Sequence, residues 1–591
     1  MNPFPTEFFL QSTTTVSFCL AEPGQLVALM GGSGAGKTTL MNTLLGRNLK
    51  GLEVEGEVLI NGVEMGSKIT NVAGYVQQDE LFVGTLTVQE HLEAQADLRL
   101  ADLSKKQKKN RVDELISQLG LTKCRYSRIG VPGITKGISG GEARRLAFAS
   151  ALMNHPPLLF CDEPTTGLDS AMAESVVNVM EDLAKRGYTV ICTIHQPSSE
   201  IYMKFNQVIF LAAGRLAYFG PPGQSVDFFA QCGFPCPRHY NPADLIIEKL
   251  AIEPYNENES RQRMDRVCNA FEESEGAVKF MERVEKCRGV EMDQDILDEY
   301  TPRMASFMEQ ISTLLKRDLL DNWRNASLTR AKLIQKTFMG IFVGLLYFQT
   351  PTNSKVGVSN VNGALFYVVS ELIYNTFFGV TAFLPFEFPL LVREYHDGLY
   401  YVASYFFARA LSYAPLFTID GLVMMSLTYT MAGLIPTWSA FLWGMAASIL
   451  IEQCSAAAGI MISTICPSYS VAVAVAGPIL GLLSLTGGLY ANVGSLPFFI
   501  SWLQNFSWFK YGFEVLAINE WQNVEAESAS GCIYGGVRKN QSHCIQTEDI
   551  LNGFSFKSEN FYPDLLIMLG FIAGFYLVGL LGLWVRVKRA R

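Results

Sequence analysis

Hydrophobic and polar positions divide the chain into two regimes. From Met1 to about Arg330, charged residues recur every few positions and no long apolar run interrupts them. Short apolar runs end in turns at Val27–Met30, Leu158–Cys161 and Val190–Thr193, and a helical stretch, Ala171–Ala184, separates the last two. Such runs read as buried strands, and their alternation with helix predicts a largely parallel sheet covered by helices. Arg261 to Glu299 is charged and weakly periodic, which predicts a linker. Phe307 to Trp323 has the spacing of an amphipathic helix leading to a membrane.

Beyond that helix the pattern changes. Ala410 to Phe509 contains no Lys or Arg, and its only acids are Asp420 and Glu452. Six segments, 331–349, 361–384, 409–433, 438–465, 469–490 and 562–585, can each supply the ~20 apolar residues that cross a bilayer. Arg317, Arg324, Arg330 and Lys332 cluster at the start of the first. Arg393 and Arg409 lie between the second and third, and Arg586, Lys588, Arg589 and Arg591 close the chain. Basic residues favour the cytosolic side, so both termini are expected there. The segment 491–561 is then external. Within it, Leu496 to Val515 reads as a re-entrant or interfacial helix, being aromatic and interrupted. Cys532 and Cys544 would face an oxidising compartment, where a disulfide between them is expected. Asn540, in the sequon Asn540-Gln541-Ser542, is the expected glycosylation acceptor.

Composition narrows the class. At 591 residues several domains are expected, and 49% hydrophobic against 17% charged residues excludes a disordered chain. A net charge of −9 argues against a nucleic-acid partner. Twelve cysteines are too dilute for a disulfide scaffold, and Cys232 and Cys236 read as reduced structural thiols. No basic segment followed by an apolar stretch opens the chain, so the polar half is expected in the cytosol. The expected domains are 1–250, an α/β ATPase; 251–325, a linker and connecting helix; and 326–591, an all-α six-helix transmembrane domain.

The chemistry sits in the first half. Gly31-Gly32-Ser33-Gly34-Ala35-Gly36-Lys37-Thr38 fits the phosphate-cradling pattern G-x-x-x-x-G-K-[ST]. Its glycines turn backbone N–H groups onto phosphate oxygens at a helix start. Lys37 would reach the outer phosphates, and Thr38 would ligate Mg²⁺. Asp162 and Glu163 end an apolar strand, placed to hold the metal and to act as general base. Ser139-Gly140-Gly141-Glu142 opens another helix and offers a second anion site. One monomer needs no second phosphate turn, whereas two chains packed head-to-tail do.

The order GGSGAGKTT (Thr39 included), ISGGE, LLFCDE, GLDS and IHQP resembles an ATP-binding-cassette domain. The resemblance implies that Gln78 senses metal and attacking water, that Asp169 ties two sites together, and that His195 contacts the terminal phosphate of ATP. ATPase first and six spans after is similar to the G subfamily of half-transporters, which includes the White eye-pigment type and sterol and multidrug exporters. Val76-Gln77-Gln78-Asp79, Asn241-Pro242-Ala243-Asp244 and Gly487–Asn492 support it. That implies a homodimer, or a heterodimer with another such half-transporter, in a plasma or intracellular vesicle membrane and in contact with its lipid. The cargo implied is a lipophilic or planar small molecule, such as a sterol, lipid, pigment precursor or xenobiotic. A membrane-anchored ATPase and an ATP-gated channel or receptor are the rivals. About thirty residues precede Gly31, fewer than family members carry, so no adenine-stacking residue is assigned.

Intramembrane ionisable groups are functional candidates by default, here Glu371, Asp420 and Glu452. By family analogy the second and fifth spans line a central cavity. Tyr374, Asn375, Phe377, Phe378, Leu480, Gly481 and Ser484 are its candidate residues, with Leu489 and Tyr490 as a plug above it. Pro385 to Tyr401 is expected to be a cytosolic hairpin that touches the ATPase.

Overall fold

In a computed structural model the described residues are 8–10, 19–47, 49, 54, 58–60, 63–65, 69–131, 135–288, 304–528, 533–538 and 541–590. They form two compact units. One runs to Thr313 and includes Val392–Tyr401; the other comprises Leu314–Leu391 and Val402–Arg589.

The first unit is built on a six-stranded sheet. Its spatial order is Arg215–Gly220, Gln207–Ala212, Leu26–Gly31, Thr189–Thr193, Leu158–Cys161 and Ala73–Val76. The outermost pair is antiparallel and the other neighbours are parallel, as the alternation of strand and helix requires. Every residue of Leu26–Gly31, Leu158–Cys161 and Thr189–Thr193 is buried. Helices Lys37–Leu44, Gly140–Ala151 and Ser170–Lys185 follow the functional turns. Register pairs Leu29 with Thr193 and Cys161 with Cys192. The carboxyl ends of the central strands therefore lie side by side, where ligands bind in open α/β sheets. A separate antiparallel sheet of Cys19–Ala21, Phe8–Leu10, Val58–Ile60 and Val63–Glu64 has no counterpart in the sequence reading.

The expected linker is instead helical over Glu257–Glu272 and Glu275–Arg288. Met264, Val267, Cys268 and Phe271 recur at helical spacing and are buried, with Phe271 5.6 Å from the Tyr218 ring. Arg215, on the edge strand, pairs with Asp265 at 3.0 Å and Glu272 at 2.8 Å. Charges on the outer face had hidden that stripe. The expected hairpin at Pro385 is likewise a helix, Phe383–His396, ending in a turn at Gly398 with φ +69°. Its last residues belong to the first unit, where Asp397 pairs with Arg47 at 2.8 Å and Arg99 at 3.6 Å.

The second unit is helical. Ala326–Leu346, Lys355–Thr381, Val402–Ala432, Trp438–Ile465, Tyr469–Leu485 and Phe561–Arg589 match the six expected spans in order, with shifted ends. Among the described residues, four helices are long and apolar enough to cross a membrane: those at Lys355–His396, Val402–Ala432, Trp438–Ile465 and Ser558–Arg589. Tyr469–Leu485 is apolar but shorter, and Ala326–Leu346 carries Arg330, Lys332 and Lys336.

The 496–515 segment, expected as a re-entrant or interfacial helix, is interrupted. It breaks at Ser507, whose hydroxyl donates to the Leu483 carbonyl at 2.7 Å. Before the break, Phe498, Phe499 and Trp502 are exposed. After it, Trp508–Glu527 enters the core, where Phe509, Phe513, Val515 and Trp521 are fully buried. An aromatic run on its own does not tell a wet boundary from a packed interior. Cys532, Asn540 and the side chain of Cys544 lie outside the described residues.

Candidate functional site

The turn after Leu26–Gly31 needs glycine for two reasons. Gly34 and Gly36 take φ of +78° and +99°, and a Cβ on Gly31 would lie 2.3 Å from the Leu211 carbonyl oxygen. The Lys37 ammonium turns back over the loop and donates to the Gly31 and Gly32 carbonyls at 2.9 and 3.1 Å. Burial lowers its pKa, opposed by the Glu163 and Asp162 charges.

Asp162 is the hub. Its Oδ1 accepts from Thr193 Oγ1 at 2.7 Å and lies 3.5 Å from Thr38 Oγ1, while its Oδ2 lies 3.5 Å from the Tyr75 hydroxyl. Burial raises the Asp162 pKa, and those three hydroxyls oppose the shift. A carboxylate desolvated beside a hydroxyl is the donor set a divalent cation stabilises. Glu163, at φ +43°, donates its backbone N–H to Thr193 Oγ1 at 2.7 Å. Its Oε2 accepts from Gln78 Nε2 at 2.9 Å and Thr166 Oγ1 at 3.0 Å. Glu163 and His195 line one open cleft of about 530 Å³, beside Thr166 and Gly167. His195 is exposed on that cleft.

The structure thus joins Lys37, Thr38, Gln78, Asp162, Glu163 and His195. Sequence reasoning missed Thr193, Tyr75 and Thr166, which hold the two acids.

Ser139 caps helix Gly140–Ala151, accepting from Glu142 N at 3.3 Å, and Glu142 accepts from Ser139 N at 2.8 Å. That backbone donor lowers the Glu142 pKa. Gly140 and Gly141 pack against Leu168 and Met172, next to Asp169, which caps Ser170–Lys185 by accepting from Met172 N at 2.8 Å. Among the described residues, no hydrogen bond or ion pair joins the Ser139 turn to the Gly31 loop. Its helix does reach the Gln78 strand end through Arg144, which donates to the Gln77 and Gln78 carbonyls at 2.8 and 3.1 Å and pairs with Glu80 at 3.2 Å. Arg144→Met is expected to free both carbonyls and lower the domain's stability by about 2 kcal/mol. Thermal unfolding of the purified protein checks this.

In the helical unit, Tyr374 donates to Ser484 Oγ at 3.1 Å and stacks on Phe378, and Asn375 donates to Glu371 at 3.0 Å. Gly481 faces open space, Leu489 is half-buried and Tyr490 is exposed. Phe377 and Leu480 are buried in the packed core, and the Phe377 ring meets that of Phe378 edge-on at 5.8 Å.

Residues 13–166 match the family described as ABC transporter, and residues 195–339 and 309–521 match two described as ABC-2 type transporter. The ABC transporter ATP-binding protein/permease wht-3 of Caenorhabditis elegans is 43% identical over 97% of this chain and 90% of its own length. Protein white of Drosophila melanogaster is 37% identical over 99% and 84%. The broad substrate specificity ATP-binding cassette transporter ABCG2 of Mus musculus is 32% identical over 86% and 80%. With a nucleotide-binding unit followed by an apolar helical one, this chain belongs to the G subfamily of ATP-binding-cassette half-transporters and couples ATP hydrolysis to transport across a membrane.

Proposed function

We propose that the chain works as a dimer, with itself or with a related half-transporter, that closes over two ATP molecules. Each ATP would lie between one chain's Gly31–Thr39 loop and the other's Ser139–Glu142 turn. The lack of any hydrogen bond or ion pair between those two elements within one chain, among the described residues, is what supports the reading. Lys37 would bind the outer phosphates, and Thr38, Gln78 and Asp162 would hold Mg²⁺. That ion would neutralise phosphate charge as the terminal bond breaks. Glu163 would take the proton from attacking water, oriented by Gln78, while His195 would contact the terminal phosphate and Asp169 the opposite site.

Closure would turn the helices outward, with both termini cytosolic, and move a lipophilic or planar molecule past Tyr374, Phe378 and Ser484. An aromatic, weakly charged lining supports such a cargo.

Two inactive variants test the arrangement. Lys37→Ala and Ser139→Arg chains should each lack ATPase activity alone. Co-expressed, a mixed dimer keeps one intact site, so activity should return to roughly a quarter of wild type, given random pairing and one of two sites. A mixture that stays inactive, while both chains co-purify, would rule out sites shared between chains.

A further inference from the structure

Thr38 and Thr193 share one oxygen of Asp162, and the other faces Tyr75, whose hydroxyl is 3.5 Å away. Strand pairing fixes that approach. Ala73–Val76 runs beside Leu158–Cys161, and the Asp162 N–H donates to the Val76 carbonyl at 2.8 Å. Burial, and then the Asp162 charge, push the Tyr75 hydroxyl far above the ordinary tyrosine value, so it stays a donor.

The face of the same ring carries an arginine. The Arg47 guanidinium lies over it, 5.0 Å from the centroid, and its Nη2 pairs with Asp397 Oδ1 at 2.8 Å. Arg47 is only 6% exposed, yet its Nε and Nη1 find no hydrogen-bond partner among the described residues. Idle donors on a buried cation are costly, so the Tyr75 ring and Asp397 are what fix this side chain. Arg47 is also tied to the phosphate loop. Helix Lys37–Leu44 opens on Lys37 and Thr38, and past its end Gly46, at φ +62°, turns the chain so that the Arg47 N–H donates to the Asn42 carbonyl at 2.8 Å. Asp397 itself stands in the turn that joins Phe383–His396 to Val402–Ala432, and it pairs with Arg99 as well, at 3.6 Å.

We propose that Tyr75 is a positioning residue that links Asp162 to Asp397: its hydroxyl steadies the metal-holding carboxylate, and its ring steadies the arginine that Asp397 binds. Metal on Asp162 then favours one placement of Arg47, and by reciprocity the grip of Asp397 on Arg47 tightens the metal site. Tyr75 acts through Asp162 and not on the nucleotide. The inference rests on the Mg²⁺-holding role proposed for Asp162.

The test uses full-length protein in lipid nanodiscs that binds a non-hydrolysable ATP analogue while Mg²⁺ is titrated, so that no turnover is needed. Tyr75→Phe keeps the ring over Arg47 and removes only the hydroxyl; the half-saturating Mg²⁺ concentration should rise about fivefold. Asp397→Asn keeps the shape and withdraws the charge from Arg47, and should raise that concentration about threefold while Tyr75 is intact. The double variant should stay at about fivefold, because the hydroxyl is the route by which Asp397 reaches Asp162. A rise of about fifteenfold, the product of independent effects, overturns the proposal, and so does an unchanged titration in either single variant. Asp162→Asn separates the two readings. If it leaves the Mg²⁺ dependence intact, the metal assignment falls and this inference falls with it; if it abolishes the dependence while Tyr75→Phe is silent, only the Tyr75 link is lost.

Discussion

Glu163→Gln is expected to slow ATP turnover by roughly 10²–10⁴-fold while ATP stays bound. The substitution keeps size and shape, so the oxygen that accepts from Gln78 and Thr166 can be replaced by an amide oxygen at the same place. What disappears is the ability to take up a proton. The phosphate contacts proposed for the Gly31–Thr39 loop would remain, because Glu163 reaches the cleft from a different strand end. Its left-handed backbone, held by the N–H bond to Thr193, aims the carboxylate at the cleft at some conformational cost. Single-turnover hydrolysis beside nucleotide retention on the purified protein checks the prediction. Hydrolysis within a few-fold of wild type would remove Glu163 from the role of base.

The second large effect is on stability. Gly31→Ala forces a methyl group to within 2.3 Å of the Leu211 carbonyl, on the strand that pairs directly with Leu26–Gly31. Neither strand can retreat, because both are buried in the sheet. The cost should be about 3 kcal/mol, as for overpacked cores. For a unit of this size that lowers the unfolding temperature by roughly 8 °C. Gly32→Ala is the control: its Cβ would meet nothing within 4 Å, so the same scan should barely move. Equal shifts for the two variants would mean that flexibility of the loop, and not the close approach, sets the requirement.

Much of this was readable beforehand, and the failures share a cause. Motifs such as Gly31–Thr38 are local: every atom that matters lies within a few residues, so spacing alone places them. Four of the apolar stretches, at Lys355–His396, Val402–Ala432, Trp438–Ile465 and Ser558–Arg589, were legible for a similar reason, since the bilayer imposes length and composition on each by itself. Helix Glu257–Glu272 was hidden because charged and polar residues fill most of its length, while only five of its residues, Ser260, Met264, Val267, Cys268 and Phe271, are buried. The break at Ser507 was not legible, because aromatic content does not say where a run leaves a boundary and enters a packed interior. Thr193 and Tyr75 escaped notice since their roles depend on strand order, which pairs Thr189–Thr193 and Ala73–Val76 with the two sides of Leu158–Cys161. No pattern along one strand carries that adjacency.

Arg144 has an implication for how such a chain can evolve. Its guanidinium bolts the helix that begins at Ser139 to the carbonyls of Gln77 and Gln78. In the head-to-tail pair proposed above, those two elements would face different nucleotides. Drift in either one is therefore inherited by the other, and a degenerate site on one side of the pair would require matched changes on both sides of this single side chain.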